Sequence, residues 1–139
     1  MSFPRFFRFF ASGSLDSEEG KLLVSEVEGQ VAGFSKLTEF CIAKHKYGCI
    51  LWIAVHPRHR RKGVASALVQ AGVENLKHDG AEAVFASVQR RNKASLATFD
   101  KEDFKRVGFA HLRRLFGWRV LQFYGDIWFA PGEIVLSTT

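Results

Sequence analysis

The feature that most constrains this chain is the passage CILWIAVHPRHRRKGVASALV, Cys49 to Val69. Seven apolar residues, Cys49 to Val55, run without interruption. That is the length of a strand, and a strand with no polar alternation is one buried on both faces. Pro57 stops the ladder, because it has no N–H to donate. Beyond Gly63 the apolar residues Val64, Ala67, Leu68, Ala71 and Leu76 recur near i, i+3, i+4, i+7, with Gly72 on the same face and Gln70, Glu74 and Lys77 opposite. This spacing predicts an amphipathic helix over about Arg61 to His78, with Gly80 at the C-terminal cap. Strand, turn and helix are thus joined within thirty residues, and the turn holds five Arg, Lys or His residues between Pro57 and Gly63.

The rest of the chain fits around that unit. Leu22 to Val27 and Val31 to Leu37 read as an antiparallel hairpin turning at Glu28-Gly29-Gln30. Ala83 to Val88 reads as another strand, and Asn92 to about Val107 as a second helix ended by Gly108. Phe109 to Leu115, Val120 to Tyr124 and Ile127 to Leu136 read as closing strands, being rich in aromatic and β-branched residues. The order is strands, helix, strand, helix, strands. It predicts one α/β (α+β) domain over residues 1–139, with a single mixed, mostly antiparallel sheet and helices on both faces. No repeat, low-complexity tract or linker divides it.

Composition narrows the function classes. With 47% hydrophobic and 24% charged residues the chain is globular rather than disordered. No apolar stretch reaches about 18 residues, so no membrane span or membrane partner is expected. The opening MSFPRFFRFF is interrupted by Arg5 and Arg8 and is not read as a secretory signal. Its phenylalanines fit a core, a helix closing a groove, or a homodimer contact. Cys41 and Cys49 form neither a disulfide framework nor a metal motif, which suits a reducing, cytoplasmic setting. His56 and His59 lack a third ligand nearby, so no metal site is expected.

The charge is unevenly placed. His56 to Arg119 holds 14 Lys and Arg against 6 Asp and Glu, a net of +8, while the remaining residues hold 6 against 8, a net of −2. The basic half should face an anion. A helix N-terminus offers unpaired N–H groups and partial positive charge, both of which favour phosphate. Gly63, Ala65 and Ser66 are small enough for an anion to reach the backbone, and Arg60, Arg61 and Lys62 surround the same point. There is no P-loop and no GxGxxG after a strand.

The pattern that fits is [RQ]-x-x-G-x-[GA], met as Arg60-Arg61-Lys62-Gly63-Val64-Ala65 after an apolar strand ending Val-x-Pro. A second motif follows the next strand: Asn92 opening a helix, then Gly108-Phe109. Together, over about Cys49 to Leu112, these resemble the GNAT superfamily of acetyl-CoA-dependent N-acetyltransferases. The resemblance implies the GNAT-like acyl-CoA N-acyltransferase fold, with a shortened N-terminal region, since the strand and two helices that usually precede the hairpin have only FPRFFRFFASG in their place. It implies that the two central strands splay, that the co-substrate acetyl-CoA enters between them, and that Arg60, Arg61, Lys62, Gly63, Val64, Ala65 and Ser66 hold its pyrophosphate. It further implies that backbone N–H groups near Ile53, Ala54 and Val55 hold the thioester carbonyl and that Asn92, besides capping its helix, contacts the pantetheine arm.

The family Tyr that donates a proton to the departing thiolate is missing. Seven residues after Asn92 stands Phe99, and four before Gly108 stands Phe104, so the helix is expected to be five residues longer, with one Phe beside the thiol. Trp52, Phe85 and Phe99 also read as core. Tyr47 and Tyr124 are the only tyrosines left to act as acid. Cys49 to Val55 contains no acid and Ser87 stands before Val88, so Glu39 is the remaining candidate base, against a plain surface charge. Glu26, Glu28 and Glu39 make the hairpin acidic, which would draw a cationic acceptor: a peptide N-terminus, a lysine or a small amine. Transfer would then be direct, in a ternary complex. The rival readings are a non-catalytic acyl-CoA-binding module and, with less support, a nucleic-acid binder using the +8 segment, though no aromatics interleave its charges.

Overall fold

The structure, a computed structural model, describes residues 6–11 and 21–138, and of residues 6–11 the backbone alone. Among the described residues, seven strands form one sheet: β1 (Phe6–Ala11), β2 (Lys21–Val27), β3 (Gln30–Ile42), β4 (His45–Val55), β5 (Val84–Gln89), β6 (Lys105–Arg106) and β7 (Glu133–Ser137). Their order is β1-β2-β3-β4-β5-β7-β6, antiparallel throughout except for the β4–β5 pair. The helices are α1 (Val64–His78), α2 (Lys93–Lys101), α3 (Phe109–Phe116) and α4 (Val120–Asp126). The Phe-rich start therefore contributes an edge strand rather than a helix. Whether its rings are core or dimer contact lies outside the described residues.

The apolar run of β4 divides two cores. Ile50 joins Leu37, Val64, Leu68, Val69, Leu76, Val84 and Ala86 beneath α1 and α2. Cys49 and Tyr47 join Phe85, Leu112, Phe116, Val120, Phe123 and Val135 beneath α3 and α4. Neighbouring residues of one strand thus feed opposite faces, as pleating requires, and the mixed sheet with helices on both faces is present. Within β4 only Tyr47 to Ile50 are buried, however. Trp52 is 46% exposed and is not a core residue, whereas Phe85 and Phe99 are. Gly48 lets α1 lie close on β4: a Cβ there would meet Leu76 Cδ1 at 2.8 Å.

Several element boundaries differ from those expected. β3 and β4 extend to a tight turn at Ala43 and Lys44, both with positive φ. α1 starts at Val64, preceded by a short 3-10 turn over Pro57–His59. α2 stops at Lys101, so it is not lengthened, and the two-residue strand β6 follows. Phe109–Phe116 and Val120–Asp126 are helices, and only Glu133–Ser137 of the last segment is a strand. The cause is visible in the burial: Leu112, Phe116, Val120, Phe123 and Ile127 are the buried residues, spaced four, four, three and four apart. That is a helical stripe, and it outweighs the β propensity of the individual residues.

Candidate active site

The β4–β5 ladder is short. It pairs Gly48 with Val84, Cys49 with Phe85 and Ile50 with Ala86, and goes no further. Beyond those pairs β4 continues five residues to Val55 and β5 three residues to Gln89. A register shift between Lys36 and Leu37 places an extra β4 residue, Leu51, in the same region. Such a bulge bends its strand and sharpens its twist. The two strands therefore part at mid-sheet and leave a cleft.

The edge of β4 facing that cleft carries usable donors. His56 N–H donates to Ala32 O at 2.7 Å, so alternate residues Ala54 and Trp52 also form the hydrogen-bonded pairs with β3. Antiparallel alternation then turns the backbone groups of Ile53 and Val55 away from β3, toward the gap. Ala54 points its groups the other way and belongs to the ladder.

At the end of β4 the chain turns into α1. Gly63 is the N-cap, with φ +81°, a left-handed conformation that favours glycine. Arg61 also has positive φ (+63°), an uncommon cost for a residue with a Cβ. The first hydrogen bond of the helix, Ala67 N–H to Gly63 O at 3.0 Å, leaves the preceding N–H groups of Val64, Ala65 and Ser66 as first-turn donors. Arg60, Arg61 and Lys62 are exposed around them, and no acid lies in the first turn. His59 Nδ1, in the same turn, is buried without a partner. A dinegative group fits this set of donors, and the pyrophosphate-holding residues expected from the sequence come together at one point.

Across the cleft, Asn92 caps α2, its side-chain oxygen accepting from Ser95 N–H at 3.1 Å. Phe99 is 3% exposed and Phe104 2%, packed edge to face with centroids 4.9 Å apart. Both rings are sealed in the core beneath α1, so Phe99 offers no surface to a ligand, and neither ring has a proton to give.

The three catalytic candidates are not brought together. Glu39 pairs with Gly48, five residues before Ile53, about 16 Å down the strand. Gly48 faces Leu76, near the C-terminal end of α1, so Glu39 lies by the far end of that helix from Gly63. There it sits 3.5 Å from Lys46 Nζ. The sequence expectation of a base at the cleft is not supported by this placement. Tyr47 and Tyr124 occupy the opposite face. Tyr47 packs on Phe40, Phe85 and Phe116, and burial, then the charge of Glu82, raises its pKa. Tyr124 packs on Phe109 and Phe129, and burial raises its pKa. Glu28, by contrast, rides the β2–β3 turn, at the same end of the sheet as Val55.

One acid at the cleft escaped the sequence reading. Glu133, the first residue of β7, accepts on Oε1 from Ser87 Oγ at 2.8 Å and from Ala130 N–H at 2.7 Å. Ser87 is one residue past the last β4–β5 pair. No local motif marks Glu133; only the insertion of β7 beside β5 brings it there.

Among the described residues no helix is long and apolar enough to cross a membrane, and no cluster of potential metal ligands occurs. Residues 2–104 match the acetyltransferase (GNAT) family model. The chain is 34% identical over 76 residues to an N-alpha-acetyltransferase of Saccharolobus solfataricus, covering 54% of this chain and 45% of that protein. It is 31% identical over 109 residues to an N-alpha-acetyltransferase of Sulfurisphaera tokodaii, covering 71% and 65%. The chain thus spans between about half and two thirds of these relatives. The PaiA N-acetyltransferase of Thermoplasma acidophilum, solved in complex with coenzyme A, shares the fold with a TM-score of 0.61 at 15% identity, over 85% of this chain and 59% of that one. A parted β4–β5 pair with a basic helix start at its end, and a family match over three quarters of the sequence, converge: the chain belongs to the GNAT family of acetyltransferases.

Proposed function

We propose that the chain is an N-acetyltransferase that moves the acetyl group of acetyl-CoA directly to a primary amine. The observation that carries this reading is the junction of the cleft with the start of α1. The first-turn donors of α1, with Arg60, Arg61 and Lys62, suit the pyrophosphate. The cleft-facing N–H groups of Ile53 and Val55 suit the thioester carbonyl, where donors fixed in advance stabilise developing negative charge. Asn92, exposed at the other wall, suits the pantetheine arm. The names of these two relatives make a protein N-terminal α-amine the favoured acceptor class. An α-amine has a pKa near 7.7–8.0 against about 10.4 for lysine, so it costs less to deprotonate at neutral pH. Two free cysteines support a reducing, cytoplasmic setting.

A second reading, a non-catalytic acyl-CoA-binding module, is favoured by one observation: the phenylalanines at the family's tyrosine position are sealed in the core. The absent acid is not decisive, since a thiolate with a pKa near 8.5 leaves tolerably without one. Incubating the protein with acetyl-CoA and a panel of amines, and following free thiol, separates the two readings. Turnover with a peptide α-amine supports the enzyme. Tight CoA binding with no turnover of any amine supports the binding module.

A further inference from the structure

Among the described residues, the sheet face opposite α1 is only half covered. α3 and α4 pack on Ile42, Tyr47, Cys49, Phe85 and Val135. Past Ile50 and Ala86 the same face carries Phe34, 36% exposed, and Trp52, 46% exposed, their rings edge to face at 5.3 Å. Side-chain alternation fixes which way these residues point. A Cβ on Gly33 would meet Val64 and Leu68, and Leu37 lies in the α1 core, so Phe34 between them faces away from α1, as does the Trp52 that packs on it. Ala86, Val88, Ile134 and Leu136 likewise face α1, so Ser87 and Glu133 face away. An exposed aromatic pair on one side of the cleft and a held carboxylate on the other thus share one face.

Glu133 is held rather than free to swing. Both of its donors meet Oε1, which leaves Oε2 as the open acceptor. Its charge reaches across to β4, where, after burial, it is the second cause of the raised pKa of the Cys49 thiol. An ammonium near Oε2 would therefore meet a fixed negative charge in partly desolvated surroundings.

We propose that this half-open face is the acceptor subsite: Glu133 takes the ammonium proton of an incoming primary amine, and the Phe34–Trp52 pair receives an apolar group carried next to that amine. The proposal rests on the acetyl-transfer reading above. The amine arrives as R–NH3+ and gives one proton to Glu133, which passes it to solvent. The freed lone pair forms the N–C bond as the C–S bond breaks, its electron pair leaving on sulfur. The second proton shed by nitrogen ends on that sulfur, so the products are the acetamide, CoA thiol and one proton. Ser87 is a positioning residue, acting only through Glu133.

The test uses CoA titration by calorimetry, peptide binding to the CoA-loaded protein, and acetylation at pH 7 and pH 9. Its probes are a tripeptide opening on Leu and one opening on Gly. Glu133→Gln keeps an oxygen for Ser87 and Ala130, so CoA affinity and Tm should hold. The acetylation rate should fall about 10²-fold or more at pH 7 and much less at pH 9, where an α-amine is already neutral. Ser87→Ala should give a smaller loss of the same pH form. Trp52→Ala should weaken binding of the Leu peptide about tenfold and leave the Gly peptide within twofold, in the binding assay as well as in KM. Equal losses at both pH values in Glu133→Gln overturn Glu133 as the proton acceptor, and equal effects on both peptides in Trp52→Ala overturn the apolar subsite. Failure of the unaltered protein to bind CoA overturns the acetyl-transfer reading itself, and this proposal with it.

Discussion

Gly63 shows how much one backbone angle can settle. Its φ of +81° turns the chain from the exposed basic loop into α1 and aims the first-turn N–H groups at one point. The six-residue motif around it was legible in the sequence because it needs only local chemistry: a glycine where φ is positive, small residues after it, cations before it. The proposed base, Glu133, was not legible, for the opposite reason. Glu39 stood close in sequence to the central strand, yet antiparallel register carries it to the wrong end. Glu133 stands 78 residues beyond Val55, yet strand order carries it to the right one. Glu39→Gln is accordingly expected to leave acetylation within about twofold at pH 7 and pH 9 alike; a pH-dependent loss would return Glu39 to the site. The cysteines divide in the same way. Cys41 is exposed, while Cys49 is buried with its pKa raised by burial and then by Glu133. Only a thiolate alkylates, so iodoacetamide at pH 8 should label Cys41 alone in the folded protein. Because the folded-state pKa of Cys49 is raised, its contribution to stability is present below the unfolded thiol's value of about 8.5 and is lost as pH rises above it. Cys49→Ala should flatten that alkaline decline in Tm.

At the level of elements, a single hydrophobic period marks β4 and α1, whereas two competing signals meet between Phe109 and Asp126. β4 and α1 have unambiguous patterns, and both are found within a few residues of their expected bounds. The segment from Phe109 to Asp126 is aromatic and β-branched enough to resemble strands, but its buried residues follow a helical stripe and the glycine at Gly117, with φ +61°, separates two helices. These two helices lie beyond the matched family segment, and they cover the lower half of the face on which the acceptor subsite is proposed. The closeness of α1 to β4 gives the sharpest stability test. Gly48→Ala would set a Cβ 2.8–2.9 Å from three carbons of Leu76, a fully buried side chain that cannot swing out. Overpacking of this kind costs about 1–3 kcal/mol, or roughly 4 °C in Tm per kcal/mol for a chain of this size. An unchanged melting curve would mean that α1 lies farther from the sheet.

Across the whole molecule, charge and topology divide the labour. The +8 segment from His56 to Arg119 includes the basic turn into α1, and the remaining −2 includes Glu28 at the cleft end of the β2–β3 hairpin and Glu133 beside Ser87. On the proposed reading, an anionic co-substrate and a cationic acceptor would be drawn to different sides of one cleft, an effect that salt weakens. The sequence disclosed this division in its net charges but not its geometry, because opposite ends of β4 are separated only by register. The most direct test of the central claim is calorimetric titration of the protein with CoA, beside the variant Gly63→Asp. The unaltered protein should bind with micromolar affinity that weakens as salt rises, and Gly63→Asp, which sets a carboxylate among the first-turn donors and strains a left-handed φ, should show no binding while melting as a folded domain. Absence of heat from the unaltered protein at millimolar CoA, or equal binding by the folded variant, would contradict the assignment of this turn as the acetyl-CoA site.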